Sequence, residues 1–414
     1  MAEHNWGGNF RFGAAQICSP QSAGEAAELI LKHQAVRPLG TRHSFNDVAD
    51  SSGVLIDSSR LPQGISVDAQ ARTVTVGGGV RYGELAAVLQ ADGWALHNLA
   101  SLPHISVAGA VATATHGSGD LNGNLATAVA GVRFISGRGE EVSLKRGDQD
   151  FDGAVVALGA LGLVTELTLN LEPSYEVRQR LFAQLPWEVV TERFTDVSSA
   201  AYSVSLFTNW DEPSVSLLWL KERQGMENPC TDEFLGARAL SESRHMIDGM
   251  DVRNTTEQLG VYGPWSERLA HFRFEFTPSN GAEIQSEYLL PRAGAPAAIE
   301  ALRRLAPKIS PVLFTSEVRT VQADSLWLST AYQTDVAAFH FTWRREQDAV
   351  EAVLPLIEDA LFPLGARPHW GKLYLDRDGV VPSRYPRLRD FDALAQRFDP
   401  DARFRNAFLR RLLG

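Results

Sequence analysis

Two stretches decide how this chain is read: Pro38-Leu39-Gly40-Thr41-Arg42-His43-Ser44-Phe45, and Ala100-Ser101-Leu102-Pro103-His104-Ile105-Ser106-Val107-Ala108-Gly109 running on to Thr115-His116-Gly117-Ser118-Gly119. Glycine also clusters at Gly77-Gly78-Gly79 and at Gly159 with Gly162. Tight turns would account for any one cluster, but several in one half of a chain mean that the backbone must come close to a bound group. A pyrophosphate suits such loops, because backbone N–H groups can surround the anion where no side chain intervenes. The Gly-x-Gly-x-x-Gly fingerprint of a Rossmann unit and a Walker loop are both missing from the N-terminal region. A dinucleotide bound here is therefore held by another fold.

Outward from these loops the first half reads as short strands alternating with helices. Ser22-Ala-Gly-Glu25 is a capping-box pattern opening an amphipathic helix at about 22–33. Short β-rich runs follow at Val36–Leu39, Val54–Ile56, Thr73–Val76, Val132–Ile135 and Glu141–Leu144, with a helix at Tyr82–Ala91. Beyond residue 175 the strands lengthen: Tyr202–Phe207 and Val215–Leu220 make a hairpin, further strands fall near 283–290, 312–321 and 336–343, and helices near 295–306 and 347–360. The class is α+β, with a cofactor domain over 1–174, a second domain with an antiparallel sheet covered by helices over 175–380, and a C-terminal segment, 381–414, that packs back on the first domain.

Composition narrows the function classes. The chain has 414 residues, enough for two domains, with 44% hydrophobic and 21% charged residues, close to the soluble globular average. A formal charge of -11 without a dense basic cluster makes nucleic acid an unsuitable partner. No apolar run is long enough to span a membrane and the N-terminus lacks signal-peptide order, so a cytosolic protein without membrane attachment is expected. Cys18 and Cys230 are far apart and read as free thiols, and no metal site is expected.

The second domain carries the polar chemistry. In Leu313-Phe-Thr-Ser-Glu317-Val-Arg319-Thr320, strand alternation puts Glu317 and Arg319 on one face, and in Val336–Trp343 it puts His340 and Thr342 together. By pattern alone these could be a surface ion pair and a buried hydrogen-bonded pair. A third element is Arg367-Pro368-His369-Trp370-Gly371-Lys372. A lone His43, likewise, is by itself more often structural than functional.

Taken together, these motifs resemble the vanillyl-alcohol-oxidase type of FAD-binding flavoproteins, and within it the alditol (xylitol) oxidases. Tyr202–Phe207, Phe274-Glu-Phe-Thr-Pro278 and Gln285–Pro291 carry the narrower likeness. The resemblance implies FAD joined covalently to His43 and held by Pro38, Leu39, Gly40, Thr41, Arg42, Ser44, Ala100, Ser101, Ser106, Gly109, Ala110, Val111, Ala112, Thr113, His116, Gly117, Val164 and His369. Arg42 stands where the family often has glycine. The likeness further implies that Lys372, Arg319 and Glu317 are catalytic, and that Ser101, Glu317, Arg319, His340, Thr342 and Lys372 bind substrate. The partners expected are a small polyol and oxygen, acting on a monomer, with the terminal hydroxyl oxidised to an aldose and hydrogen peroxide released. A cyclic aldonolactone is the alternative substrate, and a non-catalytic carbohydrate-binding protein the alternative from another class.

Overall fold

A computed structural model of the protein describes residues 3–226 and 233–414; Cys230 lies outside them, and Cys18 is a free thiol. The first half holds two main sheets, besides a two-stranded pairing of Trp94–Ala95 with Glu172–Pro173. Gln16–Cys18, Val54–Asp57 and Val36–Leu39 form a parallel sheet in that spatial order. Its edge strand tolerates Pro38, which has no N–H to give, and it delivers the chain directly into the Gly40–Phe45 loop. Ser22 caps the helix Ala23–Lys32 that precedes it, its hydroxyl accepting from the Glu25 N–H at 3.2 Å, while the Glu25 carboxylate takes the Gln21 N–H at 2.7 Å. The second sheet is antiparallel, in the order Ile65–Asp68, Thr73–Gly77, Gly162–Asn170, Val129–Ser136, Glu141–Lys145.

The second half is built on one ten-stranded antiparallel sheet. Its centre runs Glu176–Ala183, Leu217–Arg223, Ser203–Thr208, Leu313–Val321, Val336–Arg344 and Glu283–Pro291. One face is apolar. There Val318, Phe339, Phe341, Trp343, Ile284 and Tyr288 pack with Ile299, Leu302, Val350 and Leu354 of the helices Ala295–Ile309 and Gln347–Leu361. Burying several aromatics on one side fixes the register, since a one-residue slip would turn every side chain over. The opposite face then has to present the alternating polar residues, and it does so toward the first half of the chain.

The C-terminal residues return to the beginning. Arg403 O accepts from Val36 N at 2.8 Å, and the Asn406 amide donates to the carbonyls of Asp47, Val48 and Asp50 at 2.9, 3.2 and 2.9 Å. Arg37, fully enclosed, donates to the carbonyls of Phe404 (2.9 Å), Gly159 (3.0 Å), Leu158 (2.6 Å) and Val48. The segments on either side of the loop that carries His43 are thus backed by two distant parts of the chain, 158–159 and 403–406. No helix among the described residues is long and apolar enough to cross a membrane.

Candidate active site

Three neighbouring strands set the polar wall of a single long cavity. Their register aligns Glu317 with His340 and His340 with Glu287, and one step along the same face it aligns Thr315 with Thr342 and Thr342 with Gln285. Glu317 and Arg319 are 4% and 5% exposed, which rules out a surface ion pair. Arg319 instead donates to Glu287 at 2.6 Å and to the Ser101 hydroxyl at 3.2 Å, and its Nε lies 3.5 Å from Glu317. His340 sits 3.5 Å from Glu287 and 3.3 Å from the Thr342 hydroxyl.

Lys372 arrives from the opposite side on the turn after Arg367–Pro368 and donates to the Gln285 side-chain carbonyl. Gln285 in turn gives its amide to Glu283, which also accepts from the Ser279 hydroxyl at 2.6 Å. Burial pulls the Lys372 ammonium down to about 8, against the opposing attraction of Glu287. Burial alone would raise the Glu317 and Glu287 carboxyls. Arg319, with His271 at the first and His116 and His340 at the second, outweighs it and holds both well below the usual carboxylate range.

At the other end the cavity runs between the two glycine-bearing loops. Gly40 and Gly109 both face Ser106, and a β-carbon on either would come within 2.7 and 2.9 Å of its hydroxyl, so a larger residue would have to turn that hydroxyl aside. That Ser106 hydroxyl is buried and makes no hydrogen bond within the protein. The same holds for both ring nitrogens of His43, whose ring stacks on Trp6 at 5.2 Å between centroids. Burial, then the charges of His104 and Lys372, lower the His43 imidazole to about 3. Buried donors and acceptors without partners are costly, and here they line a cavity whose walls include Phe134, Val155, Leu158 and Leu161. Such an arrangement fits a flat heteroaromatic group with a phosphate tail.

The cavity brings together Pro38, Leu39, Gly40, Thr41, Arg42, His43, Ser44, Ala100, Ser101, Ser106, Gly109, Ala110, Val111, Ala112, Thr113, His116, Val164, His369 and the six residues proposed to meet substrate. Gly117 is not part of its lining. It packs instead against the Leu99 carbonyl and Asn98, with room for no side chain there, and its carbonyl lies 2.9 Å from His116 Nδ1. Arg42 stands in the left-handed region, φ +65°, where glycine would be at ease, and its side chain turns away to Glu3 and Asp57. Residues not picked out from the sequence also line the site: Glu287, Gln285, Thr315 and His271. The first two were legible in principle, since Glu283, Gln285 and Glu287 recur at a period of two.

Residues 14–145 match the FAD binding domain family and residues 278–412 the D-arabinono-1,4-lactone oxidase family. The chain is 49% identical to the alditol oxidase of a Streptomyces species, covering 99% of this chain and 98% of that one. It is 28% identical to the L-gulono-1,4-lactone dehydrogenase of Mycobacterium tuberculosis, over 99% and 98% of the two chains. Among solved structures, cholesterol oxidase from B. sterolicum superposes with a TM-score of 0.79 at 14% identity, covering 100% of this chain and 96% of that one, a likeness of fold. With the cradle and the polar wall in one cavity, the chain belongs to the FAD-dependent oxidoreductases of the vanillyl-alcohol-oxidase type, in the group that includes the Streptomyces alditol oxidase.

Proposed function

We propose that the protein oxidises the terminal primary hydroxyl of an open-chain polyol of the xylitol and sorbitol class to the aldose, with oxygen reduced to hydrogen peroxide. Bound FAD supplies the acceptor for the hydride that leaves the carbinol carbon, an acceptor strengthened when a histidyl bond withdraws electron density from its ring system. The protein does the rest. Lys372, lowered toward neutrality by burial, takes the proton of the reacting hydroxyl. Arg319 presents a fixed fork of donors to the negative charge that develops beside it. Glu317, Thr342, His340 and Ser101 pair with the remaining hydroxyls, and a ligand lacking one of these would leave a buried partner unsatisfied.

The observation that supports this reading most is the presence of Glu317, Arg319, His340, Thr342 and Lys372 in the same cavity as His43. His43 is assigned as the flavin attachment residue because both its ring nitrogens are buried in that cavity without a side-chain hydrogen-bond partner. The match of residues 278–412 to the lactone oxidase family supports one alternative, a cyclic aldonolactone as hydride donor. Anaerobic addition of xylitol or sorbitol to the yellow protein separates the two. Bleaching by the polyol supports the proposal; bleaching by an aldonolactone alone replaces it with the alternative.

A further inference from the structure

Lys221 lies on the strand Leu217–Arg223 and is 1% exposed. Its ammonium donates to three successive carbonyls, those of Arg268 (2.8 Å), Leu269 (2.6 Å) and Ala270 (2.8 Å). Burial pulls this ammonium down to about 7, but three carbonyl acceptors call for the three protons that only the charged form has, and all three are committed. The next polar atom is His271 Nδ1, 3.5 Å away. A ring nitrogen facing an ammonium has no room for a proton of its own, so the His271 proton resides on Nε2. That nitrogen lies 2.7 Å from Glu317 Oε1. Trp219 and Phe207 wall the imidazole at 5.1 and 5.8 Å between ring centroids, and the backbone N–H groups of His271 and Phe272 both donate to the Ser101 carbonyl, at 3.1 and 3.2 Å.

We infer that Lys221 and His271 form a buried buttress for the substrate-binding carboxylate of Glu317, with His271 a positioning residue that holds one of its oxygens and turns the other toward Arg319 and the polyol. The inference rests on the polyol reading above. A glutamate carboxylate rotates easily about its last bond, and only a donor fixed from behind gives it one orientation. Lys221 fixes the tautomer of that donor, and the segment it gathers, 268–272, is tied at the same time to Ser101 across the cavity. One cation outside the reaction thus sets the spacing between two groups that meet the substrate.

His271→Gln and His271→Asn test this as a matched pair. Both are neutral amides. The glutamine nitrogen reaches about as far as Nε2 and can still donate to Glu317, whereas the asparagine nitrogen stops near Nδ1. With xylitol as substrate, kcat/KM for His271→Gln is expected within about threefold of the parent, and for His271→Asn roughly 10- to 100-fold lower, the loss of a hydrogen bond to a charged group. Placed in a Glu317→Ala background, which has no acceptor for either amide, the two variants are expected to become equal. Equal effects in the parent background, or a full His271→Asn loss that persists beside Glu317→Ala, would overturn the inference. If xylitol does not reduce the parent protein, it is the polyol reading that fails. The thermal-melt cycle of His271→Asn with Glu317→Ala then decides the buttress alone: non-additive melting shifts support it and additive ones overturn it.

Discussion

Arg319 donates to Glu287 at 2.6 Å, so the cation facing the substrate is already matched by a carboxylate on the neighbouring side of the wall. Glu287 is itself 3.3 Å from His116 Nε2, which ties the polar wall to the second glycine-bearing loop. A planar guanidinium can then be held in place in a site of low polarity without being left as a lone charge.

Replacing that carboxylate, Glu287→Ala, should cost about 1.5–3 kcal/mol of stability, the loss of a buried hydrogen bond between charged groups, because Glu317 remains beside Arg319. Denaturant unfolding measures it. A loss no larger than that of an exposed ion pair would mean that Arg319 finds compensation elsewhere.

Lys372 should leave its signature on the pH dependence of flavin reduction. The amine can accept a proton only when neutral, and its folded value is about 8, so the reduction rate by polyol should rise with pH through an inflection near that value. Lys372→Met should lower the rate by about 10²–10⁴ and flatten the profile. Lys372→Arg should not restore it, because a guanidinium stays charged. Stopped-flow reduction across pH reads all three.

Acid should weaken the fold early. His97, His104, His245, His271, His340 and His369 are all held below the ordinary value of 6.5, chiefly by burial. The unfolded chain therefore binds protons that the folded one refuses, and stability present above 6.5 is lost as pH falls toward the folded values. Glu287 and Glu317, depressed below 4.5, add a second loss under that pH, when their ion pairs must be protonated. The melting temperature should fall steadily from about pH 7 to about pH 4. A flat response above about pH 5 would contradict the histidine contribution.

At position 42 the backbone favours glycine. Arg42→Gly and Arg42→Ala both lose the pairs with Glu3 and Asp57, so their difference isolates the left-handed conformation. Glycine should be the more stable by about 1 kcal/mol. Equal melting temperatures would show that the loop relaxes.

His43→Ala tests the attachment. The parent protein should give a yellow pellet on acid precipitation, and the variant a yellow supernatant. A yellow supernatant from both would sink the covalent bond while leaving the FAD site in place.

The parts legible in the sequence are those governed by local rules. Gly40 and Gly109 stand where a side chain would crowd the Ser106 hydroxyl, and two-residue periodicity puts Glu317 with Arg319 and His340 with Thr342. The same periodicity runs through Glu283, Gln285 and Glu287, yet their part depends on which strand lies alongside, and pairing between residues 287 and 340 leaves no local mark. Lys221 is harder still: it follows Leu217-Leu-Trp-Leu as an ordinary strand end would, and only the return of the 268–270 carbonyls explains a buried ammonium there. Gly117 shows the converse. Its motif suggested contact with a ligand, whereas the close approach it permits is to Leu99 and Asn98.

Arg37 and Phe404 are joined across 367 residues of sequence, and this sets an order of events on the ribosome. The first loop of the cradle emerges early, but Val36, Arg37 and the carbonyls of residues 47–50 wait for partners at 403–406. A chain cut before those last partners would carry every residue that lines the cavity and still lack the groups that back its first loop.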